Sequence, residues 1–190
     1  MNIPNCLTFV RIFFIPLLVI LFYLPLQWGH LYTALIFALA GFTDWLDGYL
    51  ARQLGQISRL GAFLDPVADK LIVATALLLI VHESNLPLID IPAAIIVGRE
   101  IAVSALREWM AEIGERASVA VSFLGKVKTT VQMIAIFLLL LGRANPQPRF
   151  EFMTNLAFVG YIMLCIAAVL TLWSMFLYLK AAWPVLRQSS

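Results

Sequence analysis

Six apolar stretches recur along the chain, each about long enough to cross a bilayer as a helix, and this limits the fold more than any other feature. They run approximately Leu7–Leu26, Leu31–Arg52, Ala62–Val81, Leu88–Met110, Ala117–Leu141 and Phe152–Leu179. Hydrocarbon offers no partner to an unpaired backbone amide, so each stretch has to satisfy its own hydrogen bonds as a helix. Composition agrees. The chain has 190 residues, 62% hydrophobic and 13% charged, with a mean hydropathy of +0.93, whereas soluble domains are nearer half apolar. The expectation is an all-α integral membrane protein with six transmembrane helices, forming a single domain over residues 1–190. A net charge of +2 leaves no footprint for nucleic acid. Cys6 and Cys165 stand far apart in apolar surroundings, which argues against a disulfide framework or a zinc site.

The cations give an orientation. Of thirteen Lys and Arg residues, only Arg143 and Arg149 fall in the loops of one side. Arg11, Arg52, Arg59, Lys70, Arg99, Arg107, Arg116, Lys126, Lys128, Lys180 and Arg187 fall toward the other. The positive-inside rule then places both termini and the connection between the second and third spans in the cytoplasm. No cleaved signal peptide is expected, because Arg11 interrupts the first apolar run. Residues 1–10 are polar enough to lie in the membrane interface as a short segment. The plainer alternative is a capped helix in which Arg11 snorkels to the surface.

Inside this apolar chain stand four aspartates at regular spacing, Asp44, Asp47, Asp65 and Asp69. A carboxylate within membrane-length apolar sequence is expensive and needs a partner. Asp44, Asp47, Gly48, Ala51 and Arg52 fall at i, i+3, i+4, i+7 and i+8, which is one helical face. Asp65 and Asp69 are one turn apart, and Gly61 lies one turn earlier. Two helices joined near residues 54–60 would aim all four carboxylates into one polar cavity open to the cytoplasm. Hard oxygen donors, with no Cys or His on that face, suit Mg²⁺ or Mn²⁺. Gly48, Ala51 and Gly61 leave room for a ligand near the backbone, and Arg52 suits bidentate contact with phosphate. Pro66 leaves two starts open for the third helix, near Asp65 or near Gly61.

A second polar set follows. Arg99 and Arg107 are eight residues apart, about two turns, and so share a face. Gly125-Lys126-Val127-Lys128-Thr129 adds two cations. Arg99 and Lys126 lie deep in their spans, which favours a pocket for an anionic substrate. The bland reading pairs Arg99 with Glu100 or an aspartate and lets Arg107 and Lys128 snorkel to the interface. His30, His82 and the tryptophans read as loop residues and interface anchors, and the last two spans as packing scaffold.

The pattern D-x-x-D-G-x-x-A-R-x8-G-x-x-x-D-x-x-x-D is complete between Asp44 and Asp69. It resembles the CDP-alcohol phosphotransferases, membrane enzymes that displace CMP from a CDP-linked lipid or alcohol. The resemblance implies two divalent ions, Mg²⁺ or Mn²⁺, on Asp44, Asp47, Asp65 and Asp69, with Asp69 as the base that takes the acceptor's proton. It implies nucleotide or phosphate contacts from Gly48, Ala51, Arg52 and Ser58, with close packing at Gly61. Further segments extend it nearly end to end: Asn2 to Arg11, Phe63 to Lys70, Gly98-Arg99-Glu100, Leu106 to Met110 and Gly125 to Thr129. These resemble the bacterial members whose lipid donor is CDP-diacylglycerol and whose acceptor is glycerol 3-phosphate. By that likeness Asn5, Thr8 and Arg11 help hold the CDP-lipid, and Arg99, Arg107 and Lys126 hold the acceptor phosphate. The inner membrane of a bacterium, a site facing the cytoplasm and a homodimer are further implications.

Other readings stay open from sequence. The same chemistry serves inositol phosphate, serine or phosphatidylglycerol as acceptor. An ion-conducting protein would also carry buried carboxylates, but spread through the membrane depth rather than gathered at one end beside Arg52.

Overall fold

The computed structural model describes residues 3–54, 59–84, 86–113, 123–142 and 151–188. Six helices account for nearly all of them: α1 (Ile3–Tyr23), α2 (Gly29–Leu54), α3 (Arg59–Glu83), α4 (Asp90–Glu112), α5 (Phe123–Leu141) and α6 (Glu151–Gln188). No strand occurs among the described residues. Each helix matches one expected apolar stretch to within a few residues, except that α6 continues well past Leu179.

Local chemistry explains several boundaries. Pro4 sits in the first turn of α1, where its missing N–H costs nothing. Pro16 lies inside α1 and Pro66 inside α3, so α3 begins before the Gly61 turn rather than at Asp65. Residues 3–10 continue into α1 as one helix. Asp90 in the first turn of α4 complements the positive end of its dipole. The turn before α4 places Leu88 at φ 55°, and the Tyr161 hydroxyl donates to the Pro87 carbonyl at 2.9 Å. Hydroxyls inside helices return their protons to their own backbone, as Thr33 does to Gly29 and Thr43 to Ala40, both at 2.8 Å.

The chain divides into two compact units. The first comprises Met1–Asn85 and Ile136–Gly160. In it α1 packs along both α2 and α3, and α2 meets α3. Small buried residues, Ala34, Ala40, Ala68 and Ala76, let these helices approach closely. The second unit comprises Leu86–Ala135 and Tyr161–Ser190. Its core includes Val103, Met110, Tyr178 and Ala182, with Leu106, Trp109 and Met175 packed against them.

The buried set is mostly apolar but includes cations, and many large apolar side chains are exposed. Arg11 and Lys128 are among the largest fully buried side chains, while Phe13, Trp45, Phe63, Leu78 and Val169 are exposed. Among the described residues one helical segment, Asn155–Lys180, is long and apolar enough to cross a membrane, and Leu7–Tyr23 and Val127–Leu141 are shorter apolar segments. The six expected spans therefore do not all stand out by this measure. The reason is compositional: α2, α3 and α4 carry their charged residues within their own length.

Candidate functional site

Three helices of the first unit build a charged cluster. α2 contributes Asp44 and Asp47, α3 contributes Asp65 and Asp69, and α1 contributes Thr8 and Arg11. Each pair is separated by three or four residues, so each points from one helical face. Arg11 is fully buried and ion-pairs with three of the carboxylates, Asp47 and Asp69 closely and Asp44 at 3.3 Å. The Thr8 hydroxyl donates to Asp65. Asp47 is nearly buried, whereas the Asp44 and Asp69 side chains are about half open, at 51% and 40% exposure. Asp47 also feels the charges of Asp44 and Asp65.

Three of the four aspartates thus gather on Arg11, and the fourth, Asp65, accepts from Thr8, one turn before Arg11 on the same helix. Arg11 does not snorkel; it is the cluster's internal counter-ion. Sequence spacing pointed to two helices, but α1 supplies a third wall. Among the described residues no three acidic, His or Cys side chains close around a single point as metal ligands do. The donor set nevertheless suits a hard cation, since every donor is a carboxylate oxygen. Four carboxylates against one guanidinium leave three negative charges among these side chains. An acidic excess, part of it open to solvent at Asp44 and Asp69, can accept further positive charge.

Other expected site residues are only partly in view. Gly61 is buried in α3. Gly48, Ala51 and Arg52 lie in α2, Asn5 in α1 and Lys126 in α5, but their side chains fall outside the described residues, as does Ser58 altogether.

The second unit holds the other polar cluster. Arg99, buried in α4, donates to Glu100 at 2.9 Å and to the Ser174 hydroxyl of α6 at 3.0 Å. Lys128, buried in α5, donates to the same Glu100 oxygen at 2.9 Å. Arg107 donates to the Tyr178 hydroxyl at 3.2 Å. The Tyr178 ring lies 5.7 Å from the Arg99 guanidinium carbon and 5.5 Å from that of Arg107. The Ser174 hydroxyl passes its own proton to the Thr171 carbonyl. The Nε of Arg99 is buried without a hydrogen-bond partner.

Arg99 therefore pairs with Glu100, the bland expectation, and also faces α6. Lys128 does not snorkel; it is buried against Glu100. Sequence reasoning named Glu100 only as the bland partner of Arg99, overlooked Ser174 and Tyr178, and treated α6 as scaffold. The signal was present: Thr171, Ser174 and Tyr178 fall at i, i+3 and i+7, a polar stripe on an otherwise apolar helix. These four charged side chains, Arg99, Arg107, Lys128 and Glu100, carry two net positive charges.

Comparison with known proteins agrees with the motif. The family model described as CDP-alcohol phosphatidyltransferase matches residues 1–173, across both units. A protein of Pseudomonas fluorescens is 53% identical over 188 residues, covering 98% of this chain and 93% of its own. One from Pectobacterium atrosepticum is 55% identical over 181 residues, covering 95% and 94%. One from Salmonella choleraesuis is 51% identical over 181 residues, with the same coverage. All three are named CDP-diacylglycerol–glycerol-3-phosphate 3-phosphatidyltransferase. With the motif complete, its aspartates gathered and the match running over most of its length, the chain belongs to the CDP-alcohol phosphatidyltransferase family.

Proposed function

We propose that this protein transfers the phosphatidyl group of CDP-diacylglycerol to a hydroxyl of glycerol 3-phosphate, releasing CMP and forming phosphatidylglycerophosphate. The near full-length relatives bear the name of that reaction. One structural observation carries the reading to this chain: it gathers two polar clusters of opposite excess charge, acidic in one unit around buried Arg11 and cationic in the other. The acidic cluster suits divalent cations that bind a pyrophosphate. The cationic cluster suits a phosphate dianion.

Asp44, Asp47, Asp65 and Asp69 are the residues to hold two Mg²⁺ or Mn²⁺ ions. Bound there, such ions would neutralise charge on the pyrophosphate and on departing CMP. The chain's own side chains do the rest. Asp69, half open where Asp47 is closed, accepts the proton of the acceptor hydroxyl. The hydroxyl oxygen attacks the phosphatidyl phosphorus, and the bond from that phosphorus to the CMP oxygen breaks. Gly48, Ala51, Arg52, Ser58 and Gly61 accommodate the nucleotide and its phosphates. Asn5, Thr8 and Arg11 border the same donor site from the first helix. Arg99, Arg107 and Lys126 bind the acceptor phosphate.

The proposal extends to the surroundings. All six helices cross a bacterial inner membrane, both termini and the polar cavity face the cytoplasm, and the two units work as one catalytic domain, with the protein a homodimer. Exposed Phe13, Phe63, Leu78 and Val169 against buried Arg11 and Lys128 support lipid as the solvent.

Labelled glycerol 3-phosphate, supplied with CDP-diacylglycerol, tests the assignment. Label is expected in a lipid carrying two phosphates. Label transfer from inositol phosphate or serine instead would keep the chemistry and replace the acceptor.

A further inference from the structure

Tyr178 occupies an unusual position. Its ring lies within 6 Å of two arginines, 5.7 Å from Arg99 and 5.5 Å from Arg107, and its hydroxyl accepts a hydrogen bond from Arg107. Two guanidiniums repel each other, and Lys128 adds a third positive charge to their surroundings. Glu100 answers only part of this charge, through Arg99 and Lys128. What keeps the arginines gathered is the negative face and the oxygen of one aromatic side chain.

The ring is itself held. It is 7% exposed and packs in the core with Val103, Met110 and Ala182. Ser174, one turn earlier on α6, fixes the other edge of Arg99 at 3.0 Å. The buried Nε of Arg99 remains a donor without a partner, so the cluster has hydrogen-bonding capacity as well as charge to give an anion.

We propose that Tyr178, seconded by Ser174, is a positioning residue for acceptor recognition: it holds Arg99 and Arg107 at the spacing that binds a phosphomonoester dianion. Lys128 is the third cation of that site, and Glu100 holds it in register with Arg99. This rests on the reading of the cationic cluster as the acceptor-phosphate site. The two excess positive charges of the cluster equal the charge of one fully ionised phosphomonoester.

The test compares wild type with Tyr178→Phe and Tyr178→Leu, with Phe176→Leu on the exposed side of α6 as control. CMP release is measured against varied glycerol 3-phosphate and, separately, varied CDP-diacylglycerol. Tyr178→Leu removes both ring contacts and is expected to raise KM for glycerol 3-phosphate about tenfold or more. Tyr178→Phe keeps the ring, and a rise of roughly threefold is expected from the lost hydrogen bond. KM for CDP-diacylglycerol should stay within about twofold in both, as should every parameter of the control. If Tyr178→Leu fails to fold, Tyr178→Phe carries the test through its split between the two KM values. Equal changes in both KM values, or none in either, would overturn the positioning role while leaving the reaction in place. Wild-type release indifferent to glycerol 3-phosphate would overturn the acceptor assignment itself, and this role with it.

Discussion

At the scale of single residues, Arg11 and Asp69 decide most. Arg11 is one buried cation facing three carboxylates, and an unpaired buried charge is costly. Arg11→Gln is expected to lower the stability of the metal-free protein by about 3–5 kcal/mol, the usual effect of breaking a buried pair. Added Mg²⁺ or Mn²⁺ should recover much of that loss, because another cation then answers the same carboxylates. Thermal unfolding in detergent, with chelator and with Mg²⁺, reads both effects; an equal loss in the two conditions would mean that Arg11 acts only through packing. Asp69→Asn keeps shape and removes the base. It should abolish turnover while leaving CDP-diacylglycerol binding largely intact, as measured by equilibrium binding. An equally severe loss of binding would count against Asp69 as the base.

At the scale of elements, close helix approach sets what can be changed. A Cβ on Gly142 would meet the backbone nitrogen of Ala157 at 2.5 Å and its Cα at 2.8 Å. A backbone atom cannot swing aside, so Gly142→Ala should cost about 1–3 kcal/mol. Gly98 is the contrast. Nothing lies within 4 Å of a Cβ there, so Gly98→Ala should leave the unfolding temperature unchanged or raise it. Unfolding of the two variants side by side checks the difference. The same scale shows what the sequence made legible. The number of helices and their approximate limits followed from apolar length, and the convergence of the aspartates followed from i, i+3 and i+4 spacing. The role of α1 did not, because an arginine in an apolar run reads equally as snorkelling or as a buried counter-ion. Only the partners on α2 and α3 separate these, and they are distant in sequence. Lys128 misled for the same reason. α6 was underestimated because three polar residues among many apolar ones weaken a periodic signal without erasing it. Ser174 and Tyr178 matter through what α4 brings to them.

At the scale of the whole molecule, the chain resolves an energetic conflict. It buries Arg11 and Lys128 and exposes aromatic and aliphatic side chains such as Phe13, Phe63 and Leu78, as the proposed lipid surroundings require. The internal charge is sorted, acidic in one unit and basic in the other, and each excess matches one part of the proposed reaction. In the proposed reaction divalent cations and pyrophosphate go with the aspartates, and the acceptor's phosphate with Arg99, Arg107, Lys126 and Lys128. The most direct test of this account is CMP release by purified protein given CDP-diacylglycerol, with and without glycerol 3-phosphate, and with Mg²⁺ or a chelator. The account predicts release only when both glycerol 3-phosphate and the divalent ion are present. Release that persists in chelator, or that is absent with glycerol 3-phosphate from folded protein, would contradict it.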